Sequence, residues 1–214
     1  MGIAERRDRE REALRTRIVE AARDIVSENG LDALSMRAIA ERVEYSPATL
    51  YLYFRDKEDL LREVVVEGFR RLAEASREQL EGLEASDPGA QHRALGRAYA
   101  RFALENTAYF RVMFELPTVA RVWSPGECKP CSARGESPDA FCMVIETVRR
   151  AIDTGLINLA DAKRGALISW GLIHGLTSLY LSGHLRDVAT HDDFLALVED
   201  AMTSLGSGWS PRSP

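Results

Sequence analysis

Residues Ser35–Lys57 read SMRAIAERVEYSPATLYLYFRDK. The spacing predicts a short helix, a tight turn and a second short helix. Ser46 can cap the second helix by accepting from a free backbone N–H, and Pro47 suits its first turn, where no donor is needed. Leu50 and Phe54 then share a face, opposite a stripe of Met36, Ile39, Ala40 and Val43 in the first helix. Burying those faces together leaves Pro47, Ala48, Thr49, Tyr51, Leu52 and Tyr53 directed outward. Two helices joined in this way make a helix-turn-helix with an outward-facing recognition helix.

Working outward, Leu14, Ile18, Ala21, Ala22, Ile25 and Val26 recur at helical spacing and stop at Asn29-Gly30, a C-cap signal. Residues 1–13 are nearly all charged and lack an apolar face, so they read as a flexible arm or a frayed extension of the helix. Arg6, Arg7, Arg9, Arg11, Arg15 and Arg17 cluster in it and just beyond it. They form either a solvated, self-neutralising tail or a basic arm that reaches DNA phosphates or a narrow minor groove. Downstream, Asp56 is the N-cap of a helix running to about Leu83, and Ser86-Asp87-Pro88-Gly89 breaks the chain. A helix and a shorter aromatic follower fill residues 91–116, and Pro117 ends them. Residues 117–138 hold four prolines and read as a long loop. Further helices are expected over 138–152, 156–181 and 193–205.

The fold class is therefore all-α. A three-helix helix-turn-helix domain covers 1–59, with 1–13 as its arm. A helix joins it to a second helical domain over 60–206, to which the resemblance described below gives effector binding and dimerisation, and 207–214 is a disordered tail.

ALSMRAIAERVEYSPATLYLYFRDKEDLL, residues 33–61, resembles the N-terminal domain of the TetR family of bacterial transcriptional repressors. The match is carried by Ile39-Ala40, Ser46, Thr49-Leu50-Tyr51, Tyr53-Phe54, Lys57 and Leu60-Leu61, with Ile18–Ala22 and Gly30 upstream. Glu44 stands where that family commonly has glycine and is therefore expected to take positive φ, and Tyr45 replaces its usual small aliphatic and is expected to plug the small core. ISWGLIHGLTSLYLSG, residues 168–183, resembles the C-terminal subgroup named for its tryptophan, histidine and glycine, here Trp170, His174 and Gly175.

The resemblance implies a homodimeric repressor on a palindromic double-stranded operator, released by a small, largely apolar effector. Carried over by position, Arg37, Ala48, Thr49, Leu52 and Tyr53 lie nearest base edges, and Tyr51 and Lys57 contact phosphates. Ser46 and Pro47 complete the DNA-binding set. Tyr99, Phe102, Phe110, Met113, Phe114, Phe141, Trp170 and His174 line the effector pocket, or else are plain core. Gly171, Gly175, Ser178 and Ser182 make a small-residue stripe, which with Leu195 and Val198 forms the dimer face or else packs within one subunit.

Composition permits this reading without suggesting it. The net charge is −5, and residues 1–60 carry eleven Lys/Arg against thirteen Asp/Glu, so charge alone does not point to nucleic acid. No apolar run resembles a membrane span or a secretory leader, which leaves a cytoplasmic protein. Three cysteines, an odd number, argue against a disulfide framework. A rival reading makes Cys128, Cys131 and Cys142 a thiol or zinc sensor, although structural zinc wants four ligands. No cofactor is implied. A small helical enzyme is the remote alternative, and no G-x-S-x-G, P-loop, H-E-x-x-H or dinucleotide fingerprint supports it.

Overall fold

A computed structural model of the chain describes residues 2–115, 139–185, 187–188 and 190–210. Among them are nine α-helices and no strand. These are α1 Ile3–Asn29, α2 Met36–Val43, α3 Pro47–Leu50, α4 Lys57–Leu80, α5 Pro88–Glu105, α6 Thr107–Glu115, α7 Ala140–Asp153, α8 Ala162–Leu181 and α9 His191–Trp209. The loop 117–138, with Cys128 and Cys131, lies outside the described residues.

Two compact units divide these helices. The first holds α1, α2, α3, α4 as far as Gly68, and α6. The second holds α4 from Phe69, with α5, α7, α8 and α9. The division falls between Gly68 and Phe69, further along α4 than Asp59, and the aromatic follower belongs to the first unit rather than the second. The reason for the second shift is burial. Tyr109 and Val112 of α6 are fully buried, α6 packs on α1, and the Arg23 guanidinium sits 5.8 Å from the centre of the Tyr109 ring.

In the first unit, Ser35 caps α2 by accepting from the Ala38 N–H at 3.1 Å. Glu44 then turns the chain with φ 61 and ψ 39, a left-handed conformation that no other non-glycine described residue adopts. The α2 stripe and both Leu50 and Phe54 are buried. Arg15 pairs with Glu63 at 2.7 Å and lies 5.0 Å over the Phe54 ring, which ties α1 to α4. Two expectations change here. Tyr45 is 43% exposed and plugs nothing, because Leu50 and Phe54 already fill the small core. The expected flexible arm is the first part of α1, helical from Ile3.

The second unit is a bundle in which α5 packs against α7, α8 and α9, and α8 against α7 and α9. Two glycines mark its closest approaches. A Cβ on Gly96 would sit 2.8 Å from Met202, and one on Gly165 would sit 2.8 Å from Val148. Helix α8 begins at Ala162 rather than Leu156, because Asp161 caps it by accepting from Lys163 and Arg164 N–H groups. Helix α9 runs to Trp209, past the expected end at Leu205. The Asn158 N–H donates to the Trp209 carbonyl at 2.7 Å, and the indole packs against the cluster of Val148, Ala151 and Ile157. The disordered tail expected from residue 207 is thus helical through Trp209. Cys142, buried at the start of α7, is disulfide-bonded. An odd cysteine count excluded a complete framework but not a single pair.

A buried polar contact joins α5 to α8. Ser169 Oγ donates to the Gly165 carbonyl at 2.9 Å and meets His92 Nε2 at 2.8 Å, so the imidazole is the donor in the second bond. Burial, with the Arg93 charge beside it, pushes His92 down to about 4.

Two outcomes follow from these contacts. Replacing Glu44 with glycine removes the left-handed strain and stabilises by about 1 kcal/mol, raising Tm by roughly 2–4 °C. An unchanged or lower melting point would show that Glu44 is unstrained. The unfolded chain protonates His92 near pH 6.5 and the folded chain only near 4, so stability is full above 6.5 and falls as pH drops. In urea titrations this loss is about 2 kcal/mol between pH 6.5 and 5, above the carboxylate range. His92→Gln should flatten that slope, and the same fall in the variant would place its cause elsewhere.

Candidate nucleic-acid interface and effector site

The recognition segment is one helical turn followed by turn structure. Ser46 Oγ accepts from the Thr49 N–H at 3.2 Å and lies 2.9 Å from Thr49 Oγ1, while Pro47 opens the helix. Ser46 is therefore spent on the cap and on holding the Thr49 hydroxyl. The chain closes with Leu52, Tyr53 and Phe54 N–H groups donating back to the Thr49 and Leu50 carbonyls. With Leu50 and Phe54 buried, the intervening side chains are presented: Tyr51 is 55% and Leu52 74% exposed, and Pro47 and Ala48 are exposed too. Thr49 and Tyr53 are half-buried.

Arg37 is exposed at the start of α2, in a solvent-screened ion pair with Glu41 at 3.1 Å. Lys57 is half-buried at the start of α4. Its turn is set by Asp56, which accepts from the Asp59 N–H at 2.7 Å, and by Asp59, which accepts from the Arg55 N–H at 3.1 Å. That N–H, with Arg55 and Arg62 nearby, holds the Asp59 carboxyl below its usual range.

The predicted effector residues separate into two groups. Phe110, Met113 and Phe114 lie on α6 in the first unit, while Tyr99, Phe102, Phe141, Trp170 and His174 lie in the second. Within the second unit a hydrogen-bonded chain links four side chains. The Trp170 indole N–H donates to Tyr99 Oη at 3.4 Å, and Tyr99 Oη lies 2.9 Å from His174 Nδ1. His174 Nε2 is 3.5 Å from Ser178 Oγ. The indole can only donate, so Tyr99 Oη accepts from it, while the direction of the Tyr99–His174 bond follows the imidazole tautomer. Burial keeps His174 below its ordinary pKa and lifts Tyr99 above its own, while the indole N–H partly offsets the latter. Phe141 stands edge-on to Trp170, ring centres 6.0 Å apart, and Phe102 is buried. Spacing identified Trp170 and His174 but not the link through Tyr99 to Ser178, because α5 and α8 are far apart in sequence.

The predicted dimer face needs one correction. Val198 is fully buried in its own subunit's core with Ala100, Ile173, Phe194 and Met202, so it has no surface to offer a second chain. Leu195 packs at the edge of the same cluster. Gly171 and Gly175 are open, with nothing within 4 Å of an added Cβ, and Leu167, Ile168 and Leu179 are exposed on the same helix. A second cavity of about 250 Å³ lies among the start of α5, the end of α7 and the end of α9, lined by His92, Arg93, Ile157 and Trp209 among others. No sequence signal marked it. Among the described residues no three His, Cys, Asp or Glu side chains gather to hold a metal ion.

Two family models match this chain. One describes bacterial regulatory proteins of the tetR family and covers residues 18–64, and the other describes a tetracyclin repressor-like C-terminal domain and covers residues 92–205. The chain is 41% identical over 78 residues to the HTH-type transcriptional regulator UidR of Escherichia coli strain K12, a match spanning 36% of this chain and 40% of that regulator. A solved structure from Rhodococcus sp. RHA1, of unknown function, superposes with a TM-score of 0.72 at 26% identity, covering 92% of this chain and 96% of that one. The TetR family regulator PfmR of Thermus thermophilus shares the fold, with a TM-score of 0.58 at 19% identity over 89% of this chain and 94% of that one.

Proposed function

The chain belongs to the TetR family of bacterial regulatory proteins, and from that premise we propose that it is a homodimeric repressor of a palindromic operator. Membership makes it a helix-turn-helix transcriptional regulator rather than an enzyme. The DNA-binding reading is carried by the exposure of Ala48, Tyr51 and Leu52 on a turn that Leu50 and Phe54 anchor by burial. Arg37, Ala48, Thr49, Leu52 and Tyr53 take base edges: Arg37 offers a bidentate fork to guanine, and Thr49 or Ala48 meets a thymine methyl. Tyr51 and Lys57 take phosphates, Lys57 with help from the N-terminus of α4.

The exposed Leu167, Ile168 and Leu179, with open Gly171 and Gly175 between them, support α8 as the helix that meets the partner subunit. Two-fold pairing then requires half-sites about one helical turn apart, or a multiple of that. Trp170, His174 and Gly175 support the tryptophan-histidine-glycine subgroup for the second unit. The effector is a small, largely apolar molecule that engages the Trp170–Tyr99–His174 chain. It releases DNA by favouring a state whose recognition helices no longer fit the operator, and only by as much as it prefers that state. Such a regulator acts in the cytoplasm. No helix among the described residues is long and apolar enough to cross a membrane.

One observation favours a second reading. The disulfide at Cys142 supports a thiol-responsive regulator, in which reduction changes operator affinity with no organic effector. Operator binding with and without dithiothreitol separates the two readings.

On a duplex selected from a random pool, Tyr51→Phe and Lys57→Ala should weaken binding on every sequence, Lys57→Ala roughly tenfold. Arg37→Ala should instead relax preference at one position, by about 1–3 kcal/mol of discrimination. If Arg37→Ala weakens all operator variants alike, the residue contacts the backbone and not a base.

A further inference from the structure

The arginines at the start of α1 divide by partner. Arg6 pairs with Glu10 at 2.8 Å, and Arg9 donates to the Glu5 carbonyl at 3.3 Å. Further along, Arg15 is held by Glu63, and Arg17 donates to the Val43 carbonyl at 3.3 Å. Arg7 and Arg11 make no hydrogen bond or ion pair among the described residues. These two are four positions apart, so they share a face of the helix. Both line a groove of about 580 Å³ whose other side is formed by Tyr45, Thr49 and Tyr53. The Arg11 guanidinium lies 6.0 Å from the centre of the Tyr53 ring, which holds it beside the recognition segment.

From this arrangement we infer that the groove binds a backbone phosphate of the operator, with Arg7 and Arg11 as its charge-assisted donors. The inference rests on the DNA-binding reading above and adds a contact outside the helix-turn-helix. The chemistry is that of an anion site. Two guanidinium forks offer only donors, and their planar geometry matches phosphate oxygens. Tyr45 and Tyr53 add hydroxyl groups. Two carboxylates also line the groove, Glu10 and Asp8. Glu10 is already neutralised by Arg6, so the groove retains two free cations against Asp8. An apolar effector would find little to bury there. A phosphate would arrive with the duplex, because Thr49 and Tyr53 belong both to this groove and to the recognition segment. The site also gives the exposed Tyr45 a role, in place of the small aliphatic common at that position.

The test is the salt dependence of affinity for a selected duplex, measured on the full chain. Arg7→Ala with Arg11→Ala should weaken operator and unrelated duplexes by similar factors. It should also flatten the slope of log affinity against log salt by about 0.9 for each phosphate that the variant no longer neutralises. Arg11→Lys should keep most of the slope. Arg9→Ala removes the same charge from outside the groove and should leave the slope unchanged. An unchanged slope in the double variant, or equal flattening in Arg9→Ala, overturns the site. Weaker binding at an unchanged slope also overturns it, since the arginines would then act only by supporting Tyr53. If the unaltered protein selects no duplex and shows no salt-dependent binding, the DNA-binding reading itself fails, and the groove falls with it. That failure is recognisable because it precedes any comparison of variants.

Discussion

A helix of one turn cannot hold itself together in water, and the recognition helix of this protein is Pro47–Leu50. Its position is borrowed from burial. Leu50 and Phe54 are almost wholly removed from solvent, at 0% and 2% exposure, and α2 supplies the matching stripe. Ser46 at one end and back-donation to the Thr49 and Leu50 carbonyls at the other satisfy the groups that so short a helix leaves open. Glu44 sets the direction between the two helices by accepting a left-handed backbone at a cost of about 1–2 kcal/mol. The outward residues are therefore outward by exclusion. Once residues 50 and 54 face inward, Ala48, Tyr51 and Leu52 have nowhere else to go.

The second unit poses a different problem, because its centre contains polar groups that must be satisfied. Tyr99, Trp170, His174 and Ser178 meet it by bonding in series, beginning with the indole N–H, which can only donate. The last link, 3.5 Å from His174 to Ser178, is the longest and hence the weakest. Helix α8 carries both this series and the exposed Leu167, Ile168 and Leu179, so a rotation of α8 would move both together.

How much of this is legible in the sequence follows from the range of each signal. Caps, stops and stripes are local, so Ser46-Pro47, Asn29-Gly30 and the Leu50/Phe54 pair can be read directly. Glu44 is legible too, because a turn that favours glycine still imposes its φ on whatever residue occupies it. Long-range partnerships are not legible. An aromatic stripe looks the same whichever unit buries it, so spacing alone assigns α6 to the wrong one. Val198 has the spacing of an interface residue and lies instead beneath Phe194 and Met202. The sequence GSGW reads as a loose end until the Trp209 carbonyl finds Asn158. Polar links such as His92–Ser169 leave no periodic trace at all.

Net charge misleads here for a related reason. Beyond about 8–10 Å in physiological salt, exposed charges are screened, so a phosphate responds to its immediate neighbours and not to the total. In the first unit many carboxylates already face a cation: Glu63 meets Arg15, Glu41 meets Arg37, Asp59 meets Arg62, and Glu28 meets Arg42. Such pairs add little stability at the surface, but they cancel one another's fields at short range. What an approaching polyanion encounters is the remainder, the cations without a carboxylate and the hydroxyl groups beside them. A chain at −5 can therefore present a locally positive rim wherever pairing has consumed its acids first. The overall charge then tunes how strongly salt and non-specific DNA compete, while the distribution of pairs decides where the backbone can sit.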